Sequence, residues 1–461
     1  MSSIIKNKDL LLASARSKRD FVARKLTLSC LEAALQAGDP NNIMKSSIRI
    51  QGSKLHVNSR SYDLSKFRRI LVVGGGKAGA SMSTSLEHLL GDRITGGCVN
   101  ILRGTGPEFR TRRIELNEAS HPIPDESGVK GVRKMLNVIE DATIRDLVIC
   151  LLSGGGSALM PYPISGVSLR DKQLTTQIML RSGSTINELN CVRKHLSFVK
   201  GGWLARAAYP ATVLTLILSD VVGDPIDTIA SGPTSPDTTT FASAISILKI
   251  RRVWRLIPES VRRTLTKGVA GKIDETPKQD DKIFRNVTNV IIGNNRTVCN
   301  AAWENAKRAS ARSIILTTLL EGEAREVGIV ISAIARELEA SRGRSKKPFT
   351  IIMGGETTVT VRGNGKGGRN QEMMLGASMR LNKCQGIAIA SIGTDGLDGN
   401  TPAAGAIVDG HTVQRAEDMN MKPLVFLQNN DSHTLFTRLH DAIMTGATGT
   451  NLNDVTIATI V

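Results

Sequence analysis

One arrangement recurs along the chain: a short aliphatic run, a glycine-rich or polar turn, then a stretch with helical spacing. Residues 70–73 precede Gly74-Gly75-Gly76, residues 147–152 precede Ser153-Gly154-Gly155-Gly156, and residues 213–218 precede Ser219-Asp220. Residues 290–292 precede Gly293-Asn294-Asn295, residues 350–353 precede Gly354-Gly355-Glu356, and residues 387–392 precede Gly393-Thr394-Asp395-Gly396. Unbroken aliphatic strands alternating with helices specify an α/β architecture. In such sheets ligands gather at the carboxyl ends of the strands, which is where all six turn clusters fall.

Length and charge narrow the partners. The 461 residues exceed what one core usually holds. No apolar run approaches the roughly 18 residues of a membrane helix, so no membrane partner is expected. A net charge of +18 favours anionic partners. A nucleic-acid surface would interleave basic and aromatic residues, yet 3 Trp, 3 Tyr and 9 Phe are scattered. A small anion is the expected substrate. Six widely spaced cysteines without a CxxC pair read as reduced thiols of an intracellular protein. The basic stretch from Lys6 to Lys25 admits a mitochondrial alternative to the cytoplasm, but helical spacing of Phe21, Leu26, Leu28, Leu31 and Leu35 leaves little to cleave. Residues 249–285, with eleven basic and five acidic side chains, mark a domain boundary, and residues 341–348 a second exposed break. The expected domains are 17–285 and 286–461, in a monomer or homodimer.

The turns carry the candidate chemistry. Gly74-Gly75-Gly76-Lys77-Ala78-Gly79 satisfies G-x-G-x-x-G, but the second strand ends at Arg103 without the ribose-binding acid, and Leu71 and Ala78 break a Walker A pattern. What remains is a glycine turn with one lysine, suited to an anion or equally to a plain strand-to-helix turn. Ser153-Gly154-Gly155-Gly156-Ser157 offers N–H groups and two hydroxyls to a carboxylate or phosphate, and lacks the G-x-S-x-G form of a hydrolase. Arg193 and Lys200 stand seven apart, which predicts one face of a helix with Asn190 at its start. Asp220, and Asp395 with Asp398, follow buried strands and could hold Mg2+ or accept a proton, or simply form Asp-Gly turns. Gly365 to Glu372, with Gly368 and the planar fork of Arg369, reads as a ligand loop. His121, between turn-fixing residues, is expected to cap or pack, and no His/Cys spacing argues for zinc.

Taken in order, these blocks resemble the MOFRL-containing glycerate kinases from about Ser17 to Val455. They are Gly74-Gly75-Gly76-Lys77-Ala78, His121-Pro122-Ile123-Pro124-Asp125, Ser153-Gly154-Gly155-Gly156-Ser157, Asn190-Cys191-Val192-Arg193-Lys194-His195 and Lys200-Gly201-Gly202. Ser219-Asp220, Ser231-Gly232-Pro233-Thr234, Gly354-Gly355-Glu356, Gly367-Gly368-Arg369-Asn370-Gln371-Glu372, Thr394-Asp395-Gly396-Leu397-Asp398-Gly399 and Gly449-Thr450-Asn451 continue the series. Ala447 and Asn400-Thr401-Pro402 depart from it. The resemblance implies ATP- and Mg2+-dependent phosphorylation of D-glycerate, by a Rossmann-like larger domain and a smaller α/β MOFRL domain with the active site in the cleft between them. It makes Lys77 and Arg369 the central functional residues. We therefore expect Lys77, Arg369 and Asp395 to be catalytic, and Asp220 and Asp395 to hold metal. The nucleotide should meet Gly74, Gly75, Gly76, Ser153, Gly154, Gly155, Gly156, Ser157, Glu356 and Gly368, and the substrate Asn190, Arg193 and Lys200. The expected product is 2-phosphoglycerate, with 3-phosphorylation as the alternative and an NAD(P)-dependent hydroxypyruvate reductase less favoured.

Overall fold

The computed structural model describes residues 3–341 and 347–461. Arg342, Arg344 and Lys346 of the expected second break lie outside the described residues. The chain divides into two compact units, Met1–Asn42 with Gly293–Val461, and Ile43–Ile292. This differs from the division at 285/286 chiefly in its N-terminal segment. The first long helix, α1 (Lys18–Gly38), is capped by Ser17, whose side chain accepts from the Asp20 amide. Its Arg24 is fully buried and bonds Asp409 (2.6 Å) and Asp441 (2.9 Å), both far along the chain. A guanidinium with no access to water must find its carboxylates, so α1 folds onto the C-terminal half.

In the unit Ile43–Ile292, an antiparallel meander (Ile48–Gln51, Lys54–Val57, Arg60–Asp63) precedes a six-stranded sheet. Its strands are β1 (Arg69–Gly75), β2 (Gly96–Leu102), β3 (Ile114–Ala119), β4 (Asp146–Leu152), β5 (Thr212–Leu218) and β6 (Val287–Gly293), in the order β3-β2-β1-β4-β5-β6. The pairs β3-β2, β2-β1, β1-β4 and β4-β5 are parallel. This is the doubly wound Rossmann order, which reverses between β1 and β4. Leu71, Val73, Val148, Cys150 and Ile217 fill the core beneath one face. The glycine turn has a packing cause as well. A Cβ on Gly74, at φ +144°, would stand 2.0 Å from the Leu151 carbonyl, and one on Gly76 2.1 Å from Ser153 Oγ. Only glycine lets β1 and β4 approach so closely there.

The unit containing Gly293–Val461 holds β7 (Arg312–Leu320), β8 (Phe349–Gly355), β9 (Ile387–Gly393), β10 (Gly405–Asp409), β11 (Ala442–Ile443) and β12 (Asp454–Ile460). Their order is β7-β8-β12-β9-β10-β11. Only β7-β8 is parallel, because β12 inserts antiparallel to both β8 and β9. The buried run Met373-Met374-Leu375 packs here with Ile351, Ile389 and Phe436. Among the described residues no helix is long and apolar enough to cross a membrane.

Candidate active site

In the unit Ile43–Ile292 the turns after β1 and β4 meet where the strand order reverses. The Lys77 amide donates to the Gly154 carbonyl (2.8 Å), and the Ala78 amide to Ser153 Oγ (3.0 Å). A Cβ on Gly155 would lie 3.1 Å from His121 Cδ2 and 3.2 Å from Lys77 Cγ, and one on Gly154 would lie 2.3 Å from Asp220 Oδ2. Lys77 and His121 therefore crowd Gly155, and Asp220 crowds Gly154 beside it. His121 does not cap the helix that follows it, since Asp125 accepts from the Gly128 amide and fills that role. Burial, and then the Lys77 charge, hold the His121 pKa below its ordinary value. The turn after β4 opens only a single helical turn, Gly156–Leu159.

Beside this turn lies a cavity of about 450 Å3. Gly155, Ser157, Arg193 and Lys200 line it together, with His121 and Lys172. Residues expected to meet nucleotide and residues expected to meet substrate thus share one wall. They do not converge by helical spacing. The helix α2 (Ile186–His195) ends before Lys200, because Ser197 forms a bridge with Pro163 and the Phe198 amide donates to the Tyr162 carbonyl. A turn, not a helix face, carries Lys200 to Arg193. Asn190 is inside α2, whose start is capped by Thr185 and Glu188. Its Oδ1 accepts from Ser231 (3.0 Å), whose hydroxyl pairs with Ser157 (2.8 Å). Burial, with Arg193 adding to it, lowers Lys172 to about 7, and burial also depresses Lys200 strongly.

In the unit containing Gly293–Val461, five side chains gather at the strand ends where β8, β12 and β9 meet. Arg369 opens helix α3 (Arg369–Leu381) and bonds Asp454 through Nε (2.6 Å) and Nη2 (2.9 Å). Its Nη1 reaches Glu356 (2.9 Å), which also accepts from Asn453 (2.9 Å). Asp395 accepts from the Leu397 amide (3.1 Å), and the space beside Gly393 brings Asp395 and Asp454 close to each other. Asp398, the second acid of the same loop, is buried and accepts from the amides of Asn370 and Gln371. It caps α3, and Gly368 lets it in: a Cβ there would stand 2.3 Å from Asp398. Burial raises Asp454 to about 6 against the lowering pull of Arg369. Burial works against the Arg369 charge, but Asp454 and Glu356 outweigh it and hold that charge firmly. Among the described residues no group of three or more His, Cys, Asp and Glu side chains forms a metal cage.

Sequence reasoning missed Asp454, Lys172 and the position of His121. Asp454 escapes the carboxyl-end rule because β12 runs backwards, so its first residue pairs with Gly355 and Gly393, the last residues of β8 and β9. Lys172 lies in the helix Leu169–Arg181 among Arg170, Asp171 and Gln173, where a charge normally means solvent.

Residues 26–266 match the family described as "Domain of unknown function (DUF4147)", and residues 349–454 match the MOFRL family. The glycerate 2-kinase of Pyrococcus horikoshii is 39% identical over 95% of this chain and 97% of its own. The D-glycerate 2-kinase of Thermotoga maritima is 40% identical over 95% and 98%. The crystal structure of a glycerate kinase from that organism superposes with a TM-score of 0.84, at 39% identity over 95% of this chain and 99% of that one. A putative hydroxypyruvate reductase of Agrobacterium vitis is 40% identical over 84% of this chain and 86% of its own. With this coverage, this order of strands and these residues at the strand ends, the chain belongs to the MOFRL-containing glycerate kinase family.

Proposed function

We propose that the protein transfers the γ-phosphoryl group of ATP to the C2 hydroxyl of D-glycerate, yielding 2-phosphoglycerate and ADP. The observation that carries this reading is the cavity lined by Arg193, Lys200 and Lys172, none of which has a carboxylate partner among the described residues. Such a wall suits the carboxylate of a small hydroxy acid. The linked hydroxyls of Ser157 and Ser231, with Asn190 behind them, suit its hydroxyl groups.

In the transfer, the C2 oxygen bonds to the γ-phosphorus as the bond to the β,γ-bridging oxygen breaks, and the hydroxyl proton passes to a carboxylate. Lys77, with the turns Gly74-Gly75-Gly76 and Ser153 to Ser157, holds phosphate oxygens in this reading. Arg369 offsets charge on the moving group, with its fork set by Asp454. Glu356 serves that arginine, and Gly368 serves the start of α3. Asp220 and Asp395 divide metal binding and proton acceptance. Mg2+ commonly takes one or two protein carboxylates and completes its shell with water and phosphate, and either aspartate, at a strand end of its own unit, fits that demand. When bound, Mg2+ would neutralise phosphate charge. A cytoplasmic location belongs to the same reading.

The test is to incubate the purified protein with D-glycerate, ATP and Mg2+, coupling to enolase with phosphoglycerate mutase omitted. Phosphoenolpyruvate formation supports C2 transfer. Accumulation of 3-phosphoglycerate would overturn the position, and NADH oxidation with hydroxypyruvate, without ATP turnover, would overturn the activity. Metal-rescue titrations of Asp220→Asn and Asp395→Asn would separate the metal ligand from the base.

A further inference from the structure

Five lysine and arginine residues are buried among the described residues: Arg24, Lys172, Lys194, Lys200 and Arg415. Three have carboxylate partners. Arg24 bonds Asp409 and Asp441, Arg415 bonds Asp441, and Lys194 lies 3.3 and 3.4 Å from Asp227 and Asp237. Lys172 and Lys200 have none among the described residues, and both line the cavity that Arg193 also enters. Their ammonium groups meet only carbonyls, Leu196 at 3.1 Å and Ala230 at 3.4 Å. The Leu196 carbonyl already accepts from the Ile164 amide (3.2 Å), so Lys172 is not needed to satisfy it.

Burying like charges together without a counter-charge is costly and contributes nothing to the fold. The same arrangement is what a preorganised anion site requires, since the cost of assembling the charges is met before the ligand arrives. We propose that Lys172, Arg193 and Lys200 form one anion subsite, in which Lys172 is a substrate-binding residue that contacts the carboxylate of the hydroxy acid. The identity of the acid rests on the function proposed above. Burial, with the Arg193 charge adding to it, leaves Lys172 poised near neutrality, so an arriving carboxylate fixes its proton.

The test compares wild type with Lys172→Met and Lys172→Arg by steady-state kinetics and by thermal unfolding with and without D-glycerate. Lys172→Met should raise KM for D-glycerate by about tenfold or more, leave KM for ATP unchanged, and keep kcat within about threefold. Its ligand-free Tm should be unchanged or higher, because a buried charge has been removed, and its stabilisation by D-glycerate should be lost. Lys172→Arg should restore part of the affinity. A lower ligand-free Tm with an unchanged KM would make Lys172 structural and overturn the inference, as would a rise confined to KM for ATP. If wild type makes no phosphoglycerate, the functional reading fails on its own. The subsite is then judged by D-glycerate stabilisation, which must be present in wild type and absent in Lys172→Met.

Discussion

Asp454 grips Arg369 with both carboxylate oxygens, at 2.6 and 2.9 Å, while burial raises its own pKa to about 6. Activity should therefore fall as pH drops through about 6, where protonation costs Asp454 its hold on the guanidinium. Stability moves the opposite way. The folded pKa lies above the ordinary 3.8, so this group's contribution is fully present below that value and is lost as pH rises through about 6. A kcat profile with an acid limb near pH 6 in a protein that has not unfolded, and its disappearance in Asp454→Asn, would bear this out. An unchanged limb in the variant would assign it elsewhere.

Lys77→Ala and Arg369→Ala should both abolish activity but differ in stability. Lys77 stands in a turn with no carboxylate within ion-pair range among the described residues, so its removal should change unfolding free energy by less than about 1 kcal/mol. Arg369→Ala strands a buried Asp454 and should cost about 1–3 kcal/mol. Denaturant titration of both variants checks the contrast, and equal stability would contradict it.

His195 and Glu275 should set a pH window for stability. Burial opposes the His195 charge, yet bonds to the Cys191 carbonyl (2.7 Å) and Glu275 (2.8 Å) raise its pKa to about 9. Its contribution is complete below its ordinary 6.5 and fades as pH climbs through about 9. Glu275, lowered to about 2 against its own burial by His195, contributes above its ordinary 4.5 and loses that as pH falls through about 2. His195→Gln should flatten the alkaline limb of a Tm profile. If the limb persists, other groups cause it.

Arg24→Met should destabilise the unit containing Gly293–Val461 by about 3–5 kcal/mol, because buried Asp409 loses its ion-pair partner and is left with the His411 amide and Thr412 hydroxyl, and Asp441 keeps only Arg415 among the described residues. For the same reason residues 286–461 expressed alone should fail to fold. A cooperative unfolding transition from that fragment would refute the division described above.

The doubly wound sheet was legible because each of β1, β4 and β5 is a continuous aliphatic run that ends in a glycine or polar turn, a local pattern. The mixed sheet was less so. The reversal of β12 depends on partners about 60 to 110 residues away, and no local periodicity records direction. Lys77, Arg193, Lys200 and Arg369 stood out because glycines or spacing isolate them. Lys172 did not, since its burial comes from the elements packed over its helix and not from its neighbours in sequence. Asp398 carried an ambiguous signal, as an acid after a strand serves a helix cap as readily as a metal.

The position of β12 has a consequence for synthesis. It is the last of the described strands, yet it lies between β8 and β9 in its sheet. On a ribosome adding about 5–20 residues per second, α1 emerges roughly 20–80 s before the strand that completes its unit. During that interval Ile43–Ile292 can close on its own, while α1 waits with the apolar side chains of Leu28 and Leu31 uncovered, a natural client for a holding chaperone. Loss of residues 454–460 would remove the middle of a sheet, not fray its edge.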